Sequence, residues 1–329
     1  MNLLTASHSS YPRIGSAPDE QALRRAITLR EQGRGTDDDV RAAEDQLILL
    51  ALQDQERAGL DIVTDGLIRW NDSVAYLAAK LDGARINGLI RYFDTNFYVR
   101  QPVIEGKITR RSPLVLDEFR WAAQRSTKPV KAVLTGPCTL ARLSLKEGNG
   151  PVDLSSLALA YAEALGAEVA DLAAAGARAI QIDEPCLVKH PSDLAMAREV
   201  LKVVVACKDD AEVGLATYFG DAAPVYAQLQ ELPVDVLILD FTYSENLVQV
   251  IEMNGSTKSL GLGLIDGRNT KLENKNLIAR QVERISRRLT VEQCYLTTSC
   301  GLEYLPRDRA LLKLRHLTSI KNLVQGECR

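Results

Sequence analysis

Two adjacent carboxylates, Asp183 and Glu184, close the run Ala179-Ile180-Gln181-Ile182 and are followed at once by Pro185. Apolar, β-branched residues that lead into a proline read as a strand stopping at its acids. The carboxyl end of a parallel strand is the ligand-facing end in α/β folds, so these two acids are the first candidates for catalysis. Two carboxyls whose environments drive their pKa values apart can divide acid and base work between them. The plainer role for a strand-end Asp-Glu is to cap the next helix or to fasten a loop.

Other apolar segments end in the same way. Asp65 with Arg69 and Asn71-Asp72, Thr217-Tyr218, Asp240, Asp266-Gly267-Arg268-Asn269 and Ser299-Cys300-Gly301 each follow a strand-like run. Gathered on one face, acids such as Asp65, Asp183 and Asp266 would hold an ammonium group. Arg13, Arg69, Arg268 or backbone N–H groups would hold a carboxylate, which together describes a pocket for a small zwitterion. His8, Cys138, Cys186 and Cys300 stand at four different strand ends and form the candidate set for zinc, which needs three or four imidazole or thiolate ligands at one point. Linear spacing does not test that convergence, and small buried thiols are the plainer reading. No Gly-x-Ser-x-Gly elbow or recognisable Cys–His arrangement supports a covalent nucleophile.

The elements that position these residues alternate. Strands are expected at 3–8, 61–65, 130–136, 179–183, 213–217, 236–241, 260–265 and 295–299. Helices are expected at about 18–32, 37–58, 72–82, 115–125, 153–175, 192–206, 222–230, 244–253, 274–288 and 308–324. Eight strands, each followed by helix, predict an α/β fold of the (β/α)8 TIM-barrel type, one barrel over residues 1–329. A doubly wound open sheet is the competing architecture, but the chain carries neither Gly-x-Gly-x-x-Gly nor a Walker motif. Between the second and third strands, 84–113 breaks the rhythm with Tyr92, Phe93, Phe97 and Tyr98, and predicts a β-hairpin-like insertion over the barrel mouth.

Composition sets outer bounds. The 329 residues are 46% hydrophobic and 25% charged with a net charge of −3, an ordinary globular balance that gives no reason to expect nucleic acid as a partner. No apolar run approaches the roughly 18 residues of a membrane span and no signal-peptide layout opens the chain, so a cytoplasmic protein is expected. The six cysteines include no Cys-x-x-Cys pair and read as free thiols.

Several segments, in order along the chain, carry a family resemblance: Tyr11-Pro12-Arg13-Ile14-Gly15, Asn71-Asp72, Phe93-Asp94-Thr95-Asn96-Phe97, Lys131 with Leu134-Thr135-Gly136-Pro137, and Gln181-Ile182-Asp183-Glu184-Pro185. Thr217-Tyr218-Phe219-Gly220, Gly263-Leu264-Ile265-Asp266-Gly267-Arg268-Asn269 and Ser299-Cys300-Gly301-Leu302 complete the set. Together they resemble cobalamin-independent methionine synthase, whose full-length members contain two (β/α)8 barrels. This chain is one barrel long and looks closer to the N-terminal type.

The resemblance implies methyl transfer from 5-methyltetrahydrofolate, as its polyglutamate, or from another methyl carrier, to homocysteine, giving methionine. It implies Asp183 as the grip on the substrate ammonium, Ser16 as a contact to its carboxylate and Arg13 facing an acidic folate tail. It also implies zinc, although Leu215-Ala216-Thr217 stands where the family's His-x-Cys ligands fall, Asp240 stands near its Glu, and only Cys300 matches. Leu67 stands where the family has a substrate-binding Glu. A chain so built implies a module that works with a separate zinc-bearing barrel. The alternative is a homologue that binds folate or an amino acid without chemistry.

Overall fold

The computed structural model describes residues 2–93, 95–151 and 153–326. Its strands are β1 (Asn2–Thr5), β2 (Leu81–Arg91), β3 (Tyr98–Arg110), β4 (Lys131–Thr135), β5 (Leu145–Lys146), β6 (Ala179–Asp183), β7 (Glu212–Thr217), β8 (Val236–Asp240), β9 (Ser259–Ile265) and β10 (Gln293–Thr298). Seven of them form one parallel sheet in the order β1-β10-β9-β8-β7-β6-β4. The residues of β4, β8 and β9 are buried throughout, as expected of strands covered on both faces.

The sheet curls until its edges, β1 and β4, meet across the segment 61–65. Ala6 bridges Ile62 and Val63 bridges Val130. The Ser7 N–H donates to the Ile62 carbonyl at 2.9 Å and the Lys131 N–H to the Val63 carbonyl at 2.8 Å. The strand expected over 61–65 is therefore present as two bridges. The ladder stops there because the Gln55 side chain takes both backbone groups of Thr64, accepting its N–H at 2.9 Å and donating to its carbonyl at 2.8 Å.

Helices pack around this barrel. The helix Asp37–Arg57 opens with a capping box, Thr36 and Asp39 each accepting the other's backbone N–H, with three aspartates in its first turn. The helix Leu154–Ala174 opens with the same device from Asp153 and Ser156. Inside the barrel, glycine makes room. A Cβ on Gly261 would sit 2.7 Å from Cγ1 of Ile238, closer than van der Waals contact allows. The five described cysteines are free; Cys328 lies outside the described residues. No helix among the described residues is long and apolar enough to cross a membrane.

The insertion is an antiparallel hairpin of β2 and β3, with β5 added parallel to β3. It begins at Leu81 rather than near 84, and it takes over part of the helix expected at 72–82, of which Ala75–Ala78 remains. β5 and the short helix Pro137–Leu143 before it are additions to the elements expected from the sequence. Asp94 of the aromatic motif lies outside the described residues.

The return from the hairpin is fastened by one buried acid, Glu168. Its carboxylate accepts the N–H groups of Leu114, Val115 and Leu116 at 2.7, 2.7 and 2.9 Å, and Nε of Arg110 at 2.8 Å. Those amides open the helix Leu116–Ala123, so one side chain caps a helix and neutralises a half-buried guanidinium. Glu168→Ala leaves all four donors unsatisfied and is expected to cost about 3–5 kcal/mol. The denaturant midpoint of the variant should fall accordingly, measured against the unchanged chain.

Candidate active site

A cavity of about 290 Å³ opens at the carboxyl ends of the barrel strands, between the mouth loops and the hairpin. The loop after β1 contributes Ser9 to Ile14, and the segment after 61–65 contributes Leu67 and Trp70 to Ser73. The hairpin contributes Tyr92 and Phe97, β6 and β7 contribute Asp183, Tyr218 and Phe219, and the loop after β10 contributes Cys300, Gly301 and Glu303 to Leu305. The aromatic walls pack edge to face: Tyr218 on Phe219 at 4.8 Å between ring centroids, and Phe97 and Phe219 each against Tyr304.

Asp183 forms the floor. Its Oδ1 accepts from Nε2 of Gln181 at 2.7 Å and its Oδ2 from the Tyr218 hydroxyl at 3.1 Å. The Tyr92 hydroxyl continues the chain to Tyr218 at 3.3 Å. On the other side, Nζ of buried Lys131 donates to Oε1 of Gln181. Burial pushes the Asp183 carboxyl up to about 6, against the opposing pull of its hydrogen bonds and of Lys131. Burial likewise brings Lys131 down to about 7. Residues 181 and 183 share a sheet face because they are two apart, and Lys131 pairs Ala179 in register on the neighbouring strand, which is how this row assembles.

Glu184 has a different setting from the one expected. Its side chain turns away from the cavity, and its carboxylate accepts the Cys138 N–H at 2.8 Å, the Thr139 N–H at 2.7 Å and the Thr139 hydroxyl at 2.6 Å. It thereby fastens the start of the helix Pro137–Leu143 to the end of β6. Gly136 makes the approach feasible, since a Cβ there would lie 2.2 Å from the Glu184 carboxyl carbon. Burial raises this carboxyl to about 7. An acid so completely occupied has no lone pair aimed at a ligand, so the catalytic expectation for Glu184 is not met by its placement.

The other expected residues divide. Arg13, Asn71, Tyr218 and Cys300 line the cavity with Asp183. Arg13 donates from Nη1 to the Trp70 carbonyl at 3.0 Å and leaves Nε without a partner; the buried indole N–H of Trp70 is also unpartnered. Ser16 is exposed and is not part of the lining. Asp65 is buried beside Glu118 and Lys131 in a smaller crevice, its carboxyl raised to about 6 by burial. Asp266 pairs with Arg268 at 3.0 Å and accepts Nδ2 of Asn269 at 2.5 Å, while Arg268 stacks on Tyr243 and donates to Thr242. That trio is a self-satisfied cluster outside the cavity lining.

The zinc candidates do not converge. Cys138 and Cys186 gather on Glu184, Cys186 donating its thiol to that carboxylate at 3.5 Å, and burial drives both thiols well above the usual range. His8 bonds Ser9 through Nδ1 at 3.0 Å and packs edge-on against Tyr218, with burial holding it well below its ordinary value and Nε2 unpartnered. Cys300 is alone at the cavity. Asp240, near the position of the family's glutamate ligand, is occupied by the Thr242 N–H at 2.8 Å, the Thr242 hydroxyl at 2.5 Å and the Phe219 N–H at 3.2 Å. Among the described residues no group of three or more His, Cys, Asp or Glu could hold a metal ion. The donor set does not fit zinc.

Sequence reasoning missed Glu303, Tyr92 as a bonded neighbour of Tyr218, and the Trp70 indole. Glu303 carried one local signal, a carboxylate three residues beyond Cys300 in the loop after the last strand.

Compared with known proteins, residues 11–322 match the family model described as the cobalamin-independent synthase catalytic domain. A methionine synthase of Saccharolobus solfataricus is 30% identical over 316 residues, 95% of this chain and 94% of that protein. One from Sulfurisphaera tokodaii is 30% identical over 95% and 92%. Among solved structures, a B12-independent methionine synthase from Shewanella sp. W3-18-1 superposes with a TM-score of 0.81 at 20% identity over 99% of both chains. A protein from Listeria monocytogenes, described as a putative vitamin-B12 independent methionine synthase, gives 0.77 at 18% identity over 97% and 96%. These two show the barrel fold.

The placement of Glu184 makes a separable expectation. Glu184→Gln puts an amide where backbone donors converge and should cost about 1–3 kcal/mol of stability. Its affinity for any ligand of the cavity should stay within twofold of the unchanged chain, checked by denaturant melts beside titration calorimetry.

Proposed function

The chain belongs to the cobalamin-independent methionine synthase family, and from that premise we propose that its cavity binds homocysteine as the methyl acceptor, with Asp183 as the partner of the substrate ammonium. The single observation that carries this reading is the Asp183 carboxylate, desolvated at the cavity floor and held by two neutral hydrogen-bond donors, Gln181 and Tyr218. A carboxylate bonded to neutral groups in a dry site attracts a cation more strongly than one in water. The Arg13 Nε and the Trp70 N–H, both without partners, are the donors available to the substrate carboxylate. The aromatic walls then enclose the side chain and exclude water from it.

The methyl donor proposed is 5-methyltetrahydrofolate. The bond from its N5 to the methyl carbon breaks as the bond from homocysteine sulfur to that carbon forms. The thiol proton leaves, and N5 of the departing tetrahydrofolate takes up a proton. A cleft lined by Arg13, Ile14, Arg24, Ile27 and Asn71 adjoins the cavity through Arg13 and Asn71, and its two guanidinium groups suit an acidic tail such as polyglutamate.

Whether this barrel transfers the methyl group alone or lends its pocket to a separate zinc-bearing barrel turns on two observations. The unsuitable zinc donor set supports the module. The match to a family model described as the catalytic domain, and to relatives of nearly equal length, supports a chain that acts alone.

Calorimetry with homocysteine and with methionine tests the pocket, and a methyl-transfer assay with and without a zinc-bearing methionine synthase barrel tests the partner. Asp183→Asn should weaken amino-acid binding by about 2 kcal/mol or more, roughly thirtyfold, because the ammonium loses its buried counter-charge. Since burial raises the Asp183 carboxyl to about 6 and only its ionised form attracts an ammonium, affinity should fall as pH drops through about 6. Absence of binding to both amino acids overturns the proposal.

A further inference from the structure

Asp183 is not the only acid that faces the cavity. Glu303, in the loop after β10, is partly exposed and lines the same cavity. The Ser10 hydroxyl donates to its Oε2. Its neighbour Gly301 provides the space: a Cβ there would lie 2.0 Å from Ser10 Oγ and 2.3 Å from Glu303 Oε2. Any other residue at 301 would push the carboxylate out of this position.

Desolvation raises the Glu303 carboxyl to about 7, hydrogen bonds from its own backbone and from Tyr304 pull it back, and the Asp183 carboxylate adds a smaller upward push. Two acids thus share one small cavity, Glu303 held by the Ser10 hydroxyl and Asp183 by the Gln181 amide and the Tyr218 hydroxyl. Such an arrangement is costly for the empty protein and is relieved by a cation placed between them. The lining also includes groups of the opposite character, Arg13 with a partnerless Nε and Trp70 with a partnerless indole N–H. Leu67 faces the same space at the position where the family resemblance calls for a glutamate, and it brings only hydrocarbon there.

We propose that Glu303 supplies the second carboxylate of the ammonium subsite, reaching it from the loop after the last strand and replacing the acid absent at Leu67. The inference rests on the amino-acid reading of the pocket and deepens it. Glu303 and Asp183 hold the ammonium together, and Glu303 makes the pocket selective for ligands that carry one. The chemical class admitted is a zwitterionic α-amino acid; a carboxylic acid of the same length without the amine gains nothing from Glu303.

The experiment is calorimetric titration of the full chain with methionine and with its amine-free analogue, 4-(methylthio)butanoate. Glu303→Gln should weaken methionine at least tenfold while changing the analogue by less than twofold. Glu303→Asp, which keeps the charge, should recover part of the loss, and it also serves if the Gln variant does not fold. Glu303 variants that bind methionine as the unchanged chain does, or that lose both ligands equally, overturn the proposal and leave the amino-acid reading standing. An unchanged chain that binds neither ligand overturns both.

Discussion

The site depends on keeping a carboxylate dry at the end of a parallel strand. Asp183 reaches the cavity floor only because Gln181, two residues earlier on the same face of β6, supports it from below and Tyr218 supports it from the side. Lys131 steadies Gln181 in turn from β4. Burial works against the ionised acid throughout this row and raises its pKa. A looser floor, open to water, would hold the same residues without the same pull.

Two adjacent acids at one strand end thus meet different fates. Asp183 points into the barrel and meets neutral hydrogen-bond donors and open space; Glu184 points outward and meets the amides at the start of a helix. Alternation of side chains along an extended backbone produces that division. The result is an acid open to the cavity and a scaffold acid side by side, each raised by burial but with unlike partners. Glu168 repeats the scaffold role at the return of the hairpin, where it accepts three consecutive amides. Helix N-termini pinned by buried acids hold both sides of the cavity in place.

The cavity is also shaped by what closes it. Thr64 gives its backbone to Gln55 rather than to a neighbouring strand, which ends the second barrel segment early and turns the following residues into the mouth. Trp70, Asn71 and Asp72 enter the lining in this way. Opposite them the hairpin lays Tyr92 over Tyr218, so a surface excursion becomes one wall of the site.

Periodicity and strand-end residues were enough to determine the barrel, the hairpin insertion and the place of Asp183, because these follow from local preference and from the rule that parallel strands present their carboxyl ends together. The order of motifs was enough to indicate the family. Other matters were decided by tertiary structure alone. Glu184 turns to a helix start, Asp266, Arg268 and Asn269 satisfy one another, and the four zinc candidates fall into three separate places. Glu303, unremarkable in the sequence, joins Asp183 in the cavity lining from a loop 120 positions along. A side chain's partner depends on which way its backbone turns and on what distant segment arrives beside it, and neither is written in the spacing of residues along one strand.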